Sequence, residues 1–396
     1  MIVSLIQRIA EGIDALIDNG TVSSKKRIVL YGLGRYSFAM RTILSHRDIA
    51  VDAYLTDDEA EAIGVRREIK DYASRFFRSE RDVIDVLSIK DKIKVDGKDT
   101  VILVASADYK SICGKLSEIG LMEYKDFYKV YDCYEPDIDG FLKNKKRMSL
   151  EEIKLTSKQM LKVIDEYCSA KDLRVWASGG TMLGAVRHKG FIPWDDDIDV
   201  FLPIEDYMKL VHDFPEDDRY FFSGFGMPDG SEFMESYARM QDRKTWLDHD
   251  MLIVRRLEHV WLDVFPLVGL PSDEDERRKF FAEFREINKS IVQDFYKNDG
   301  SMDVFARRFH DMDEYLFRYP FDEAEYVGVL GTRYWEKDCT PRSVYDQTIR
   351  MRFEDMEIGV PQGYDTYLTN LYGSDWHEIP NESRRAPLHR IRGYWA

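Results

Sequence analysis

Apolar residues near the start of the chain fall at Ile2, Leu5, Ile6, Ile9, Ile13 and Leu16, a helical spacing that predicts an amphipathic helix. The pattern then changes. Residues 27–31 form a short apolar run that ends at Gly32-Leu33-Gly34 and gives way to a second helical pattern, and residues 49–55 and 100–105 repeat the strand-like run. Strands alternating with helices of this length predict a small parallel sheet with helices on both faces. The charged stretch 59–98 holds helices and a short strand that the pattern does not place. A polar segment at 135–140, carrying Pro136 and Gly140 and followed by KNKKR, predicts a domain boundary. Beyond it, 149–168 reads as a long helix. Strand-like runs follow at 174–177, 198–202, 220–223, 236–241 and 259–265, and 272–318 reads as a charged helical insertion. The expected architecture is α/β: a small Rossmann-like N-terminal domain over 1–140, then an α+β domain over 141–396.

Composition narrows the function classes. With 396 residues, 44% hydrophobic and 33% charged, the chain reads as an ordinary globular protein of more than one domain rather than a disordered chain or a rod. Its 57 Lys and Arg against 73 Asp and Glu give a net charge of -16, which argues against nucleic acid as a partner. Cys113, Cys133, Cys168 and Cys339 are scattered without Cys-x-x-Cys spacing and read as buried thiols in a reducing compartment. No apolar run approaches the length of a spanning helix, and the N-terminus lacks a basic region and cleavage site, so the expected location is cytoplasmic.

Two segments carry candidate chemistry. Gly32-x-Gly34 at a strand-to-helix turn, with Asp57 at the end of the next strand, has the shape of a dinucleotide fingerprint, although Ser37 stands where a third glycine would be. Nucleotide binding and a tight scaffolding turn both remain open there. The stronger signal is the stretch from Ser178-Gly179-Gly180-Thr181 through Pro193-Trp194-Asp195-Asp196-Asp197-Ile198-Asp199. Four carboxylates within five positions repel one another unless a cation lies between them. In extended chain, Asp197 and Asp199 share a face while Ile198 and Val200 point to the core, placing two hard oxygen ligands side by side for Mg²⁺ or Mn²⁺. Asp195 has the same parity but precedes the strand, and Asp196 is expected to order the turn. The Ser178–Thr181 turn, opening a helix, suits a phosphate. Arg187 and Lys189 lie between turn and acids, with Arg187 the preferred phosphate contact. Asp263, an acid inside an otherwise apolar strand, is expected to be a third metal ligand or a base, its structural alternative being a buried salt bridge to an arginine. Arg239 and Arg243 are candidate phosphate contacts with Thr245 as an orienting neighbour, and Glu354 is a candidate ligand or base.

These segments, together with Tyr237–Thr245, Trp261–Leu267 and Arg352–Trp376, resemble the LicD family, which includes bacterial phosphocholine transferases and is related to the fukutin-type proteins. The resemblance covers about residues 150–396. It implies a nucleotidyltransferase-like catalytic domain and metal-dependent transfer of a phospho-substituent from a CDP-activated donor, best phosphocholine from CDP-choline, to a hydroxyl of a glycan, lipid-linked oligosaccharide or teichoic-acid precursor. By position it makes Asp197 and Asp199 metal-binding acids and Asp263 the third acid. Arg239 departs from the lysine expected in many relatives. The 1–140 region resembles the small glycine-turn modules attached to bacterial glycan-processing enzymes. CDP-ribitol or CDP-glycerol donors, an NTP-dependent nucleotidyl transfer, and a glycan-binding protein with a decayed site are the competing readings. Trp194, Trp246 and Trp335 are candidate walls for a choline ammonium. The basic, aromatic finish at 384–395 is expected to line the acceptor entrance, touch anionic lipid at the inner membrane face, or form a disordered tail.

Overall fold

A computed structural model describes residues 2–32, 35–56, 85–88, 99–106, 109–130, 138–215, 217–225, 236–251, 254–297, 312–330, 332, 334–381, 385 and 392–396. The fold is mixed α/β. The chain divides into two compact units, one built on residues 1–138 with the short segments 250–255 and 292–304, the other on 139–249, 256–291 and 305–396.

In the first unit, α1 (Ile2–Asp18) precedes β1 (Arg27–Tyr31), α2 (Arg35–His46), β2 (Ala53–Thr56), β3 (Asp85–Ser88), β4 (Thr100–Val104), α3 (Tyr109–Glu118) and β5 (Phe127–Lys129). The strands pair in the order β3-β2-β1-β4-β5, every pairing parallel. Their near-continuous apolar runs follow from burial on both faces: Ile28, Val29, Leu30, Leu55, Ile102 and Leu103 are fully buried. Gly32 ends β1 at φ +90°, a conformation that glycine adopts without strain. Ser37 does not occupy the turn; its hydroxyl donates to the Tyr31 carbonyl at 2.9 Å. Gly34 and Asp57 lie outside the described residues, as do most of the elements expected at 59–98.

The second unit opens with α4 (Leu150–Ala170). It starts at Ser149 because that hydroxyl takes the Glu152 N–H while the Glu152 carboxylate takes the Ser149 N–H, a reciprocal cap. Then come β6 (Trp176–Ala177), α5 (Gly179–Leu183) running on into a π-turn over Gly184–His188, β7 (Asp199–Pro203), α6 (Ile204–Asp213), β8 (Tyr220–Gly224), β9 (Ala238–Met251), β10 (Val254–Leu270) and α7 (Glu274–Lys297). After these are β11 (Tyr326–Val329), β12 (Thr340–Pro341), the hairpin β13 (Thr348–Phe353) and β14 (Met356–Pro361), α8 (Tyr364–Tyr372) and β15 (Arg392–Trp395). Strand β10 organises the sheet: it pairs with β9, then runs parallel to β7 from Asp263 to Leu267, and meets β11 antiparallel at Leu267–Leu270. An aromatic core of Trp176, Phe201, Tyr345 and Tyr367 fixes α8 and the β13–β14 hairpin region to this sheet, with ring centroids 5.2–6.2 Å apart. Trp176 also donates its indole N–H to Thr348 at 2.7 Å.

Residues 392–395 pair antiparallel with β9, and Arg392 reaches the fully buried Asp248 at 2.7 Å. The end of the basic finish is therefore a sheet strand, while Arg384, His389 and Arg390 lie outside the described residues. No helix among the described residues is long and apolar enough to cross a membrane. Burial pushes the Cys168 thiol up to about 12 and the Cys339 thiol up to about 11. At pH 8 the Cys168 thiolate is then only about one part in ten thousand, so alkylation of native protein by iodoacetamide is expected to spare both cysteines until denaturant is added. Peptide mass mapping reads this directly.

Candidate active site

The glycine turn and the acid run are built against each other. Ser178 N–H donates to the Asp199 carbonyl at 2.9 Å, and the Asp199 N–H donates to the Thr181 hydroxyl at 2.8 Å. The turn thus clamps the backbone of Asp199 from both sides. Gly179 sits at φ +46°, and a Cβ there would lie 3.5 Å from Asp199 Oδ2 and 3.8 Å from the Tyr372 hydroxyl. A Cβ at Gly180 would lie 2.7 Å from Asp195 Oδ2, well inside contact distance. Two adjacent glycines therefore exist where two carboxylates approach the turn.

Burial along the acid run alternates with period two. Asp196, Ile198 and Val200 are buried, whereas Asp195, Asp197 and Asp199 are partly exposed. Of the four acids only Asp199 belongs to β7; just before it, the Ile198 carbonyl already accepts the Asp263 N–H of β10 at 3.0 Å. Asp195, Asp196 and Asp197 offer one oxygen each within 4.8 Å of one another, the group among the described residues able to hold a metal ion. The sequence reading favoured Asp197 from this trio and set Asp195 and Asp196 aside. Parity was a usable signal for Asp195. Nothing in the pattern marked Asp196, which is buried. Below the run, the buried Lys154 donates to the Pro193 carbonyl at 3.1 Å, pinning the turn that leads into it.

Asp263 is the register partner of Asp199 on the neighbouring parallel strand, so the two residues lie side by side. Its Oδ1 is held by Arg239 Nε at 2.8 Å, and Arg239 also reaches Glu258 at 3.1 Å, which in turn meets His249 at 3.0 Å. The guanidinium stacks 4.0 Å from the centroid of Trp261. Burial disfavours the charge on Arg239, but Asp263, with Tyr237 and Glu258, outweighs it and holds the guanidinium above its ordinary value. Arg239, expected as a phosphate contact, thus has a buried partner of its own, the salt-bridge alternative for Asp263.

The other expected contacts serve the fold in ways the sequence did not indicate. Gly179 N–H donates to the Tyr367 hydroxyl at 3.3 Å, so this amide of the turn points into the protein. Arg187 Nη1 donates to the Trp376 and Glu378 carbonyls at 2.7 and 2.9 Å, tying the segment after α8 to the π-turn. Burial lowers its pKa from the guanidinium value. Lys189 is exposed and ends the π-turn at φ +60°. Arg243 donates to the Asp217 carbonyl at 2.8 Å and lies over Phe221, while Thr245 bonds Asp242 and Val260 between β9 and β10. Glu354 occupies the tight β13–β14 turn at φ +57° and accepts the Phe191 N–H at 3.0 Å, while its own N–H donates to the Lys189 carbonyl at 2.8 Å. Glu354→Ala is accordingly expected to cost about 1–2 kcal/mol of stability in urea titration, because it leaves the Phe191 amide without its carboxylate acceptor. Trp194 packs with His188 and Arg385, and Trp246 with Phe141 and His259, so these two rings have separate neighbourhoods.

Comparison with known proteins picks out the same stretch. Residues 172–267 match the family model described as LicD/FKTN/FKRP, nucleotidyltransferase domain. The chain is 26% identical over 269 residues to the lipopolysaccharide cholinephosphotransferase LicD of Haemophilus influenzae, covering 63% of this chain and 99% of that protein. An uncharacterized protein of Rickettsia prowazekii is 40% identical over 58 residues, 15% of this chain and 22% of its own. One of Rickettsia typhi is 38% identical over 72 residues, 18% and 23% respectively. The part of the chain that carries the glycine turn, the acid run, Arg239 and Asp263 is therefore homologous to the LicD-family nucleotidyltransferase domain.

Proposed function

We propose that this protein transfers a phospho-substituent, phosphocholine from CDP-choline in the first instance, to a hydroxyl of a cell-surface glycan or teichoic-acid precursor and releases CMP. The observation that carries this reading is the meeting of the glycine turn with Asp195 and Asp199, inside the segment homologous to a transferase domain. Three carboxylate oxygens within 4.8 Å form a donor set suited to a hard divalent cation, Mg²⁺ or Mn²⁺, with Asp199 and Asp263 completing the acidic wall. When bound, that cation supplies charge neutralisation and Lewis-acid polarisation for the donor pyrophosphate.

The chain's own residues supply the geometry. Ser178 and Thr181 hold Asp199 in place, and Lys154 holds the turn before Asp195. Asp263, with Oδ1 engaged by Arg239, stands beside Asp199 in the acidic wall. The acceptor hydroxyl attacks the distal phosphorus; the bond to the bridging oxygen breaks and CMP carries that oxygen away. The hydroxyl proton passes to a carboxylate of the acid wall. The acceptor is a glycan or lipid-linked oligosaccharide, met at the cytoplasmic face of the membrane. In the first unit, the parallel order β3-β2-β1-β4-β5 supports a Rossmann-like reading.

The test is a donor panel of CDP-choline, CDP-ribitol, CDP-glycerol and NTPs with Mg²⁺, scored for CMP against pyrophosphate. CMP release from CDP-choline, lost in Asp199→Asn while the fold persists, is the expected result. CMP from another CDP donor moves the head group. Pyrophosphate from an NTP would replace the reaction with nucleotidyl transfer, and no turnover with any donor would leave a binding protein.

A further inference from the structure

We infer that the Tyr372 hydroxyl contacts the substrate, donating a hydrogen bond to a phosphoryl oxygen of the nucleoside-diphosphate donor beside Gly179; this rests on the phospho-transfer reading above. Tyr372 is the last residue of α8, far in sequence from the acid run and half-buried rather than part of the core. The position where Gly179 lacks a Cβ is flanked by two polar atoms, Asp199 Oδ2 at 3.5 Å and the Tyr372 hydroxyl at 3.8 Å. A carboxylate and a phenol thus both border the position of the absent side chain. A phosphoryl group entering an acidic wall needs donors as well as a cation, and a phenol donates without adding charge that would compete with the cation for the carboxylates.

The segment that carries Tyr372 is held from both sides. On the α8 side, Tyr367, one turn and a half earlier, is fully buried; its hydroxyl accepts the Gly179 N–H at 3.3 Å and donates to the buried Asp338 at 3.4 Å. On the other side, Gly373 at φ +98° turns the chain off the helix, and Arg187 grips the Trp376 and Glu378 carbonyls that follow. Arg187 is thereby a positioning residue that acts through Tyr372.

The experiment is Tyr372→Phe in the full chain, with CDP binding in the presence of Mn²⁺ measured by calorimetry, Mn²⁺ affinity measured alone, and CDP-choline turnover. The expected result is a loss of about 10- to 100-fold in CDP affinity and in kcat/KM, with Mn²⁺ affinity changed less than about twofold. Arg187→Met is expected to weaken CDP binding in the wild-type background and to add nothing in the Tyr372→Phe background, a non-additivity that a general loss of stability would not produce. CDP affinity within twofold of wild type in Tyr372→Phe overturns the inference. If wild-type protein binds CDP but turns over no donor, the proposed reaction fails while the binding comparison still decides Tyr372. Failure of the wild type to bind CDP with Mn²⁺ overturns both.

Discussion

One methyl group at position 180 is expected to remove about a hundredfold or more of the turnover while the protein melts at its usual temperature. The Cβ of Gly180→Ala would stand 2.7 Å from Asp195 Oδ2. Something must move, and the carboxylate, at the far end of a short side chain, is what can. The fold loses little, because alanine is the better helix former by about 1 kcal/mol and position 180 lies within α5. The function loses much, because the displaced oxygen belongs to the trio that could hold the cation. Mn²⁺ affinity by electron paramagnetic resonance, read beside a thermal melt, separates the two. A variant with wild-type Mn²⁺ binding would show that Asp195 takes no part. At Gly179 the balance differs: alanine there meets a left-handed backbone as well as Asp199 and Tyr372, so both stability and turnover should fall.

The second large effect is structural. Asp263→Ala is expected to destabilise the protein by about 3–5 kcal/mol, because it takes from the buried guanidinium of Arg239 the carboxylate that holds its Nε. The double replacement Arg239→Met/Asp263→Leu should recover more than half of that loss, since removing both charges removes the desolvation problem as well. Urea midpoints for wild type, the single variant and the double variant make the comparison. A single-variant loss below about 1 kcal/mol would mean that the pair contributes little beyond solvent-exposed ion pairs. Turnover should vanish in both variants, since Asp263 stands beside Asp199 in the proposed acidic wall.

The parts of this site that could be read from the sequence are those written locally. Alternation carried Asp197 and Asp199 onto one face, and an acid within the apolar run at 259–265 marked Asp263, which the register then set beside Asp199. Asp195 is within reach of the same rule by its parity and its burial, although it precedes β7, which begins at Asp199. Asp338 carried no signal, and Tyr367 and Tyr372, within the 352–376 segment that shares the resemblance, had no readable partner. Each is an ordinary residue in its own segment, and what matters is which distant turn it meets. The arginines were out of reach for another reason: a guanidinium that will bind phosphate and one that will brace carbonyls, as Arg187 does, look alike until the fold is closed. In the first unit, the strand runs at 27–31 and 100–105 were readable because burial on both faces makes them continuously apolar.

The hydrogen bond from Gly179 to Tyr367 spans 188 residues of chain. A motif that looks self-sufficient in sequence therefore waits on a very long loop closure, and contacts of that separation form late and slowly during folding. The same dependence runs in reverse under denaturant: undocking α8 would slacken the turn and strip the clamp from Asp199 while the central strands still stand. Activity should then fade at a lower urea concentration than the loss of far-ultraviolet dichroism, with the catalytic geometry the first thing surrendered and the last regained.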